Sequence, residues 1–462
     1  MGIFRPVLDF HVRGEQEEAS ILLLTPHSGR NFMAKAEKTY RKRAIGEHQL
    51  HPESLMMSYG FDPFLSEGSI KPPIFATSTF AFRSAAEGEA LFRKLAGRQE
   101  PGEPDVDALI YARFNNPNME VLEDRLTLFD GGEEALAFSS GMSAITTALM
   151  ACVPPGSVIL HSSPIYGASE VFIRTMMPDM FGVKSVEFDA WASEERIRDA
   201  AENAREHGPV AVIYTEAPAN PTNALVDLQA VSRVADWLEA ETGTRPVIMC
   251  DNTMMGPVGH KPIRHGADLV LYSLTKYIGG HSDLIAGAVI GRSDLIAGVR
   301  KLRNFFGGTL DAHSCWLLTR SLETVSLRMQ KAFDNARAVA AFLKDHPKVE
   351  QVMYLGFLEA GDPQKAVYDR QCEGAGSTFS FDVKGGKAAA FRLLDSLKLI
   401  KLAVSLGGTE SLACHPGSTT HSGVPEDIRA RIGFTDGLIR MSIGIENADD
   451  LIADLGQALG AV

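Results

Sequence analysis

The sequence predicts an α/β protein with a large domain on a mostly parallel sheet, followed by a smaller α+β domain. Three observations carry this expectation. Through the middle of the chain, short runs rich in β-branched residues alternate with helical periods. Those runs are apolar almost throughout, as in strands covered on both faces. After about residue 325 the alternation gives way to one long helical period and shorter mixed units. A chain of 462 residues has room for two or three such domains.

Residues 1–52 are polar, mixed in charge and weakly periodic, and read as an N-terminal extension. Met33 opens a new stretch, MAKAEKTYRKR, and is an alternative start. Residues 53–117 form an N-terminal arm. Within it, KLAGRQEPGEPDVDA (94–108) is rich in Pro, Gly and acid, so a surface loop is expected. A helix fits the residues after Asn118, with Leu122, Leu126 and Leu128 on a helical spacing. The large domain, 118–325, holds the expected strands SVILH (157–161), VAVIYT (210–215), PVIMC (246–250), DLVLYS (268–273) and IAGAVIG (285–291). Asp227 is placed to cap a helix whose apolar face is Leu228, Val231, Val234 and Leu238. The C-terminal domain, 326–462, starts with a helix around 326–345. TFSFDV (378–383), a helix from Lys387 to Leu397 and LIRMSIGIE (438–446) follow.

The charge balance is 45 Lys and Arg against 58 Asp and Glu, a net −13, which argues against nucleic acid as a partner. With 45% hydrophobic and 22% charged residues the composition is that of a folded globular chain. Cys152, Cys250, Cys315, Cys372 and Cys414 include no C-x-x-C pair, so buried, reduced thiols and a cytoplasmic location are expected. No apolar run reaches the roughly 18 residues of a membrane span. The N-terminus lacks the apolar region and cleavage site of a secretory signal.

The chemistry concentrates in Tyr272-Ser273-Leu274-Thr275-Lys276-Tyr277-Ile278-Gly279-Gly280-His281-Ser282-Asp283. Lys276 would emerge at the carboxyl end of a central strand, where such sheets bind ligands. A surface lysine is the plain alternative. Hydroxyls on either side, Ser273 and Thr275, point instead to a phosphate beside an amine, the needs of pyridoxal 5′-phosphate (PLP). Asp251 ends the neighbouring strand. It is either an ordinary loop carboxylate or the partner of a pyridinium nitrogen. Ser139-Ser140-Gly141-Met142 reads as a turn entering a helix, whose free N–H groups make an anion site, or as a simple N-cap.

Together these segments resemble the PLP-dependent enzymes of cysteine and methionine metabolism, the group of cystathionine γ-synthase, cystathionine γ-lyase and methionine γ-lyase. The resemblance runs from about Ser58 to the C-terminus. In family order it comprises Tyr111-Ala112-Arg113-Phe114-Asn115-Asn116-Pro117, Ser140-Gly141-Met142, Glu216-Ala217-Pro218-Ala219-Asn220-Pro221 and Asp251-Asn252-Thr253. The lysine motif, Ser405-Leu406-Gly407 and Arg440-Met441-Ser442-Ile443-Gly444 complete it. It implies a type I, aspartate-aminotransferase-like fold with PLP as cofactor. Lys276 would be the covalent anchor and proton shuttle, and Asp251 the pyridinium partner. Ser273, Thr275 and the backbone of Gly141 and Met142 would hold the phosphate. Tyr111 and Arg113 would reach the phosphate in the neighbouring subunit, making a homodimer the active unit and a homotetramer the expected assembly. Tyr166 would stack on the ring and act as acid or base. Asn220 would bond near the ring hydroxyl, and Arg440 with Ser405 would clamp the substrate carboxylate.

The implied reaction releases a γ-substituent from a sulfur amino acid. Water then leads to 2-oxobutanoate and ammonia, whereas a thiol leads to replacement. Ala168 stands where typical methionine γ-lyases carry cysteine, and Val404 where cystathionine-handling members carry glutamate; Asn118 follows Pro117 where threonine is usual. Val404 favours γ-elimination from L-methionine or L-homocysteine; cystathionine γ-synthase, γ-lyase or O-acylhomoserine sulfhydrylase activity is the alternative. Cys414, His415 and His421 lack an obvious fourth ligand, so no metal is expected. A nicotinamide-dependent dehydrogenase would share the β/α rhythm, but the G-x-G-x-x-G after a strand is missing. A catalytically dead PLP-binding relic conflicts with the presence of Lys276, Asp251 and Arg440 together.

Overall fold

The computed structural model describes residues 39–99, 108–422, 429 and 431–462. A two-residue ribbon, β1 (Ala44–Ile45) with β2 (His48–Gln49), opens the described chain. The acidic stretch expected as a loop is preceded by a helix, Ala85–Leu95, and its residues 100–107 lie outside the described residues.

The large sheet contains β3 (Glu134–Phe138), β4 (Val158–Ser163), β5 (Lys184–Asp189), β6 (Val210–Glu216), β7 (Val247–Asp251), β8 (Leu269–Ser273) and β9 (Gly287–Gly291). Their order is β3-β9-β8-β7-β6-β4-β5. Neighbours from β5 to β8 run parallel, whereas β9 is antiparallel to both β8 and β3. The sheet is therefore mostly parallel, as expected from sequence, with β9 the one reversed strand. Alternate residues bury on opposite faces: Leu269 and Leu271 join a core with Leu136, Ile159 and Tyr214, while Val270 and Tyr272 join one with Leu126 and Phe129. Burial on both faces explains why these strands are apolar throughout.

Side-chain caps set where the covering helices start. Asn116 accepts from the Asn118 N–H ahead of helix Pro117–Asp130. Asp227 accepts from the Gln229 and Ala230 N–H groups ahead of helix Leu228–Thr242. Helix Val325–Lys344 joins two cores: Met329 and Phe333 pack with the large domain, Val339 and Leu343 with the small one.

The small domain carries β10 (Val349–Met353), β11 (Thr378–Val383), β12 (Lys401–Leu402), β13 (Leu412–Cys414) and β14 (Leu438–Ser442), in the order β10-β11-β14-β13-β12. Arg440 sits in the middle of β14, opposite Ser380 and Cys414. The register of the large sheet aligns Glu216 with Asp251, and Asp251 with Leu271, two residues before Ser273. Three adjacent parallel strands thus deliver their chemistry to one carboxyl edge, which the small domain faces.

Candidate active site

At that edge lies a cavity of about 310 Å³. Lys276, Asp251, Ser273, Thr275, Gly141, Met142, Tyr166, Asn220, Ser405 and Arg440 all line it. Lys276 follows β8 in a tight turn, its N–H donating to the Ser273 carbonyl at 3.1 Å. Its Nζ donates to Ser405 Oγ at 2.9 Å, across 129 residues of sequence. Burial, and then the charge of Arg440, hold this amine below the usual lysine range. The pocket therefore favours the unprotonated amine that nucleophilic and base chemistry needs.

Asp251 ends β7 in a buried position, and one carboxylate oxygen accepts from the Thr253 N–H at 3.0 Å. Thr253 Oγ1 in turn accepts from the Ser273 N–H at 2.9 Å, tying the ends of β7 and β8 together. Burial raises the Asp251 carboxyl. Such a group, set in a low-dielectric site, gains most from a cation placed against it.

Glu216, at the end of β6, had no assigned role from sequence beyond its motif. Its two oxygens accept from the Tyr166 N–H at 2.6 Å and the Asn220 N–H at 2.9 Å. Burial, then the nearby Asp251 charge, pushes its carboxyl up to about 8. One buried side chain thereby fixes the two loops that present Tyr166 and Asn220. Asn220 Oδ1 accepts from Arg440 Nη1 at 3.2 Å, and Arg440 Nη2 donates to the Ser405 carbonyl at 3.0 Å. The guanidinium is thus anchored by neutral acceptors, and its charge is available to a carboxylate in the cavity.

Another end of the cavity is a close approach of backbone. Ser140 caps helix Gly141–Cys152 by accepting from the Ser143 N–H at 3.0 Å. The Gly141 and Met142 N–H groups fall in the first turn, where a helix offers no acceptor of its own. A Cβ on Gly141 would lie 2.9 Å from Ser273 Cβ and 3.1 Å from Ser273 Cα. Only glycine lets the helix N-terminus and the Ser273 hydroxyl converge on one small anion. Thr275 hydrogen-bonds both the carbonyl and the N–H of Ala286, bracing the turn that carries Lys276. An amine, a buried carboxylate at the neighbouring strand end and this anion cradle fit the three functional ends of PLP.

Tyr111 and Arg113 do not line the chain's own cavity. Arg113 hydrogen-bonds the Asn304 carbonyl and lies 4.5 Å from the Phe114 ring centre, and Tyr111 is exposed. Thr420, Ile285 and Met254 line the cavity without having been singled out by sequence. Thr420 belongs to a loop with no strand-end signal, so only the fold reveals it. Both His415 ring nitrogens are hydrogen-bonded within the chain, to Ser418 and to the Asp436 carbonyl. A second, larger cavity of about 830 Å³ adjoins at Met142 and Thr420, and Ala168 lines it. Among the described residues, no helix is long and apolar enough to cross a membrane.

A family model described as Cys/Met metabolism PLP-dependent enzyme matches residues 54–460. An L-methionine gamma-lyase of Pseudomonas deceptionensis is 38% identical over 407 residues, 87% of this chain and 96% of the relative. The cystathionine beta-lyase MetC of Bacillus subtilis is 36% identical over 416 residues, 90% of this chain and 98% of the relative. Among solved structures, a putative O-acetylhomoserine (thiol)-lyase from Campylobacter jejuni superposes with a TM-score of 0.79 at 29% identity. That match covers 89% of this chain and all of the other, and the solved structure carries a pyridoxyl-lysine phosphate.

Proposed function

The chain belongs to the Cys/Met metabolism family of PLP-dependent enzymes, and from that premise we propose that it eliminates the γ-substituent of L-methionine or L-homocysteine. The products are 2-oxobutanoate, ammonia and a thiol from methionine or sulfide from homocysteine. The observation that carries this reading is how the cavity's charged groups are committed. Arg440 suits the substrate carboxylate, and Asp251 the cofactor's ring nitrogen. Both Glu216 oxygens are already taken by main-chain N–H groups. The wall adds Val404, Ile285 and Met254. A second amino-acid head group, as in cystathionine, would find no charged partner on that wall, and a site that offers none favours a substrate without one. L-Methionine gamma-lyases at 37–38% identity over most of the chain support the same choice.

PLP bound in this cradle supplies an electron sink for the pair left at Cα when its proton departs. The protein's part is to bind and to move protons. Arg440, its fork oriented by Asn220 and the Ser405 carbonyl, holds the substrate carboxylate and so presents Cα to Lys276. Lys276 Nζ, its hold on a proton weakened by burial and by Arg440, removes the Cα proton and returns it later. Ser405 Oγ holds that amine in place between transfers. Tyr166, presented by Glu216, serves as acid or base for the departing group. Tyr111 and Arg113 complete the phosphate site of an adjacent copy, so the active unit is a homodimer, and two such dimers form the tetramer. The unpaired thiols support a cytoplasmic location.

Ala168 favours a second reading, replacement at the γ-carbon by a thiol, because typical methionine γ-lyases carry a cysteine there. A product assay separates the two. Methionine, homocysteine, cystathionine and O-acylhomoserines are offered in turn, with and without added thiol. Formation of 2-oxobutanoate from methionine or homocysteine, at a kcat/KM above that for cystathionine, is expected. A thioether product formed faster than 2-oxobutanoate whenever thiol is present would overturn elimination.

A further inference from the structure

Below the cavity runs a chain of buried polar side chains that the mechanism above leaves unused. Tyr272 Oη donates to Asp130 Oδ1 at 2.9 Å, joining β8 to the end of helix Pro117–Asp130 across 142 residues of sequence. Asn252 Nδ2 donates to Tyr272 Oη at 2.7 Å and to the His260 carbonyl at 2.9 Å. Asn252 Oδ1 faces His260 Nδ1 at 3.0 Å. An amide oxygen only accepts, so His260 carries its proton on Nδ1. Asp130, Asn252, His260 and Tyr272 are all at most 2% exposed. Asn252 directly follows Asp251, and Tyr272 directly precedes Ser273.

The chain has a direction. Tyr272 gives its single phenolic hydrogen bond to Asp130, so it presents only a lone pair to Asn252. With the His260 and Gly256 carbonyls, which also only accept, this pins the Asn252 amide with its nitrogen toward Tyr272 and its oxygen toward His260 Nδ1. The Asn252 N–H also donates to the Leu271 carbonyl at 3.1 Å. Held at both side chain and backbone, Asn252 fixes the last peptide of β7, from which the Asp251 side chain enters the cavity. Asp130 is a poor device for stability as such. Among the described residues its Oδ2 has no hydrogen-bond partner, and burial pushes its carboxyl up to about 7. Buried polar sets of this kind are often replaced by apolar residues at no cost in stability.

The structure assigns Asp130 and Tyr272 as positioning residues that, through Asn252, hold Asp251 against the ring nitrogen of bound PLP. The assignment rests on the reading of Asp251 given above. Two readouts besides turnover test it: the affinity of the apoprotein for PLP, and the absorption maximum of the bound cofactor. Tyr272→Phe and Asp130→Leu each break the chain, and each is expected to weaken PLP binding about tenfold, the scale of one buried hydrogen bond. Both are expected to shift the absorption maximum. Asp130→Asn keeps an acceptor for Tyr272 and is expected to bind PLP within about twofold of the wild type. The double variant Tyr272→Phe/Asp130→Leu removes the buried carboxyl together with its phenol donor and leaves Asn252 Nδ2 the His260 and Gly256 carbonyls as acceptors. It is expected to melt at or above the wild-type temperature while still binding PLP about tenfold more weakly. That variant also decides the case if a single one fails to fold. Wild-type PLP affinity and spectrum in the double variant would overturn the assignment, as would a loss in Asp130→Asn equal to that in the double variant. Asp251→Asn separates the two levels. If it binds PLP normally with an unchanged spectrum, the reading of Asp251 itself fails; if it does not, only the assignment to Asp130 and Tyr272 is at stake.

Discussion

Replacing Gly141 by alanine adds one methyl group at the most crowded point of the anion cradle. That carbon would meet Ser273 Cβ at 2.9 Å, Cα at 3.1 Å and Oγ at 3.2 Å. Carbon atoms pack best at about 3.5–4.0 Å, so the first contact is short by roughly 0.6 Å. The Oγ could rotate away, but Cα and Cβ belong to the end of β8 and cannot. The helix start must therefore move off the strand. Alanine gains helix propensity of at most about 1 kcal/mol, and less in the first turn. Overpacking of a well-ordered contact costs about 1–3 kcal/mol. The apoprotein should lose about 1–2 kcal/mol on balance. PLP should suffer more, because in the proposed cradle the displaced N–H groups and the Ser273 hydroxyl would each make a charge-assisted bond to phosphate, of about 1.5–3 kcal/mol. A loss of PLP affinity of tenfold or more is expected, read by titrating PLP into apoprotein, with urea unfolding of the apoprotein alongside. Gly298→Ala is the control: in helix Ser293–Phe306 its added Cβ meets nothing within 4 Å, and neutral or better stability is expected. If Gly141→Ala binds PLP within twofold and unfolds like the wild type, the argument from close approach is wrong.

Three further outcomes are expected. Lys276→Ala and Arg113→Ala should each be inactive as homo-oligomers, and mixing them should restore part of the 2-oxobutanoate formation; verified subunit exchange with no recovery counts against a shared site. Val404→Glu should raise the cystathionine-to-methionine ratio of kcat/KM about tenfold, the lower end of a charged hydrogen bond at a half-open position; an unchanged ratio refutes the role given to that wall. Burial lowers the pKa of His260 to about 3 and of His421 to about 4, from 6.5. At these two sites the unfolded chain binds more protons than the folded one below about pH 6.5, so the two histidines make stability fall as the pH drops from 6.5 toward 4, while the raised carboxyls of Asp130 and Glu216 act in the opposite sense. In urea unfolding between those pH values, His421→Gln should flatten that fall; a slope equal to the wild type's speaks against His421.

What could be read from the chain and what could not divide along a physical line. Lys276, Asp251 and Glu216 stand at strand ends, where an apolar run stops on a chemically loaded residue, and parallel register brings such ends together without further information. β3 (EALAF) escaped because three of its residues are alanine or glutamate, and β5 (KSVEFD) because an edge strand alternates polar with apolar. The direction of β9 escaped for another reason: burial on both faces makes a strand apolar whichever way it runs. The link of Asp130 to Tyr272 left no local trace, since 142 residues separate its ends and each partner reads alone as a helix terminus or a core aromatic. Tyr111 and Arg113 mark the limit of both approaches, because their motif is legible while the folded single chain holds them against Asn304 and Phe114, away from its own cavity. Local pattern therefore reports residues whose role follows from where a strand ends. Residues whose role depends on a remote partner or a second copy need the fold, and then the assembly, which is why subunit mixing is the measurement that reaches furthest beyond this structure.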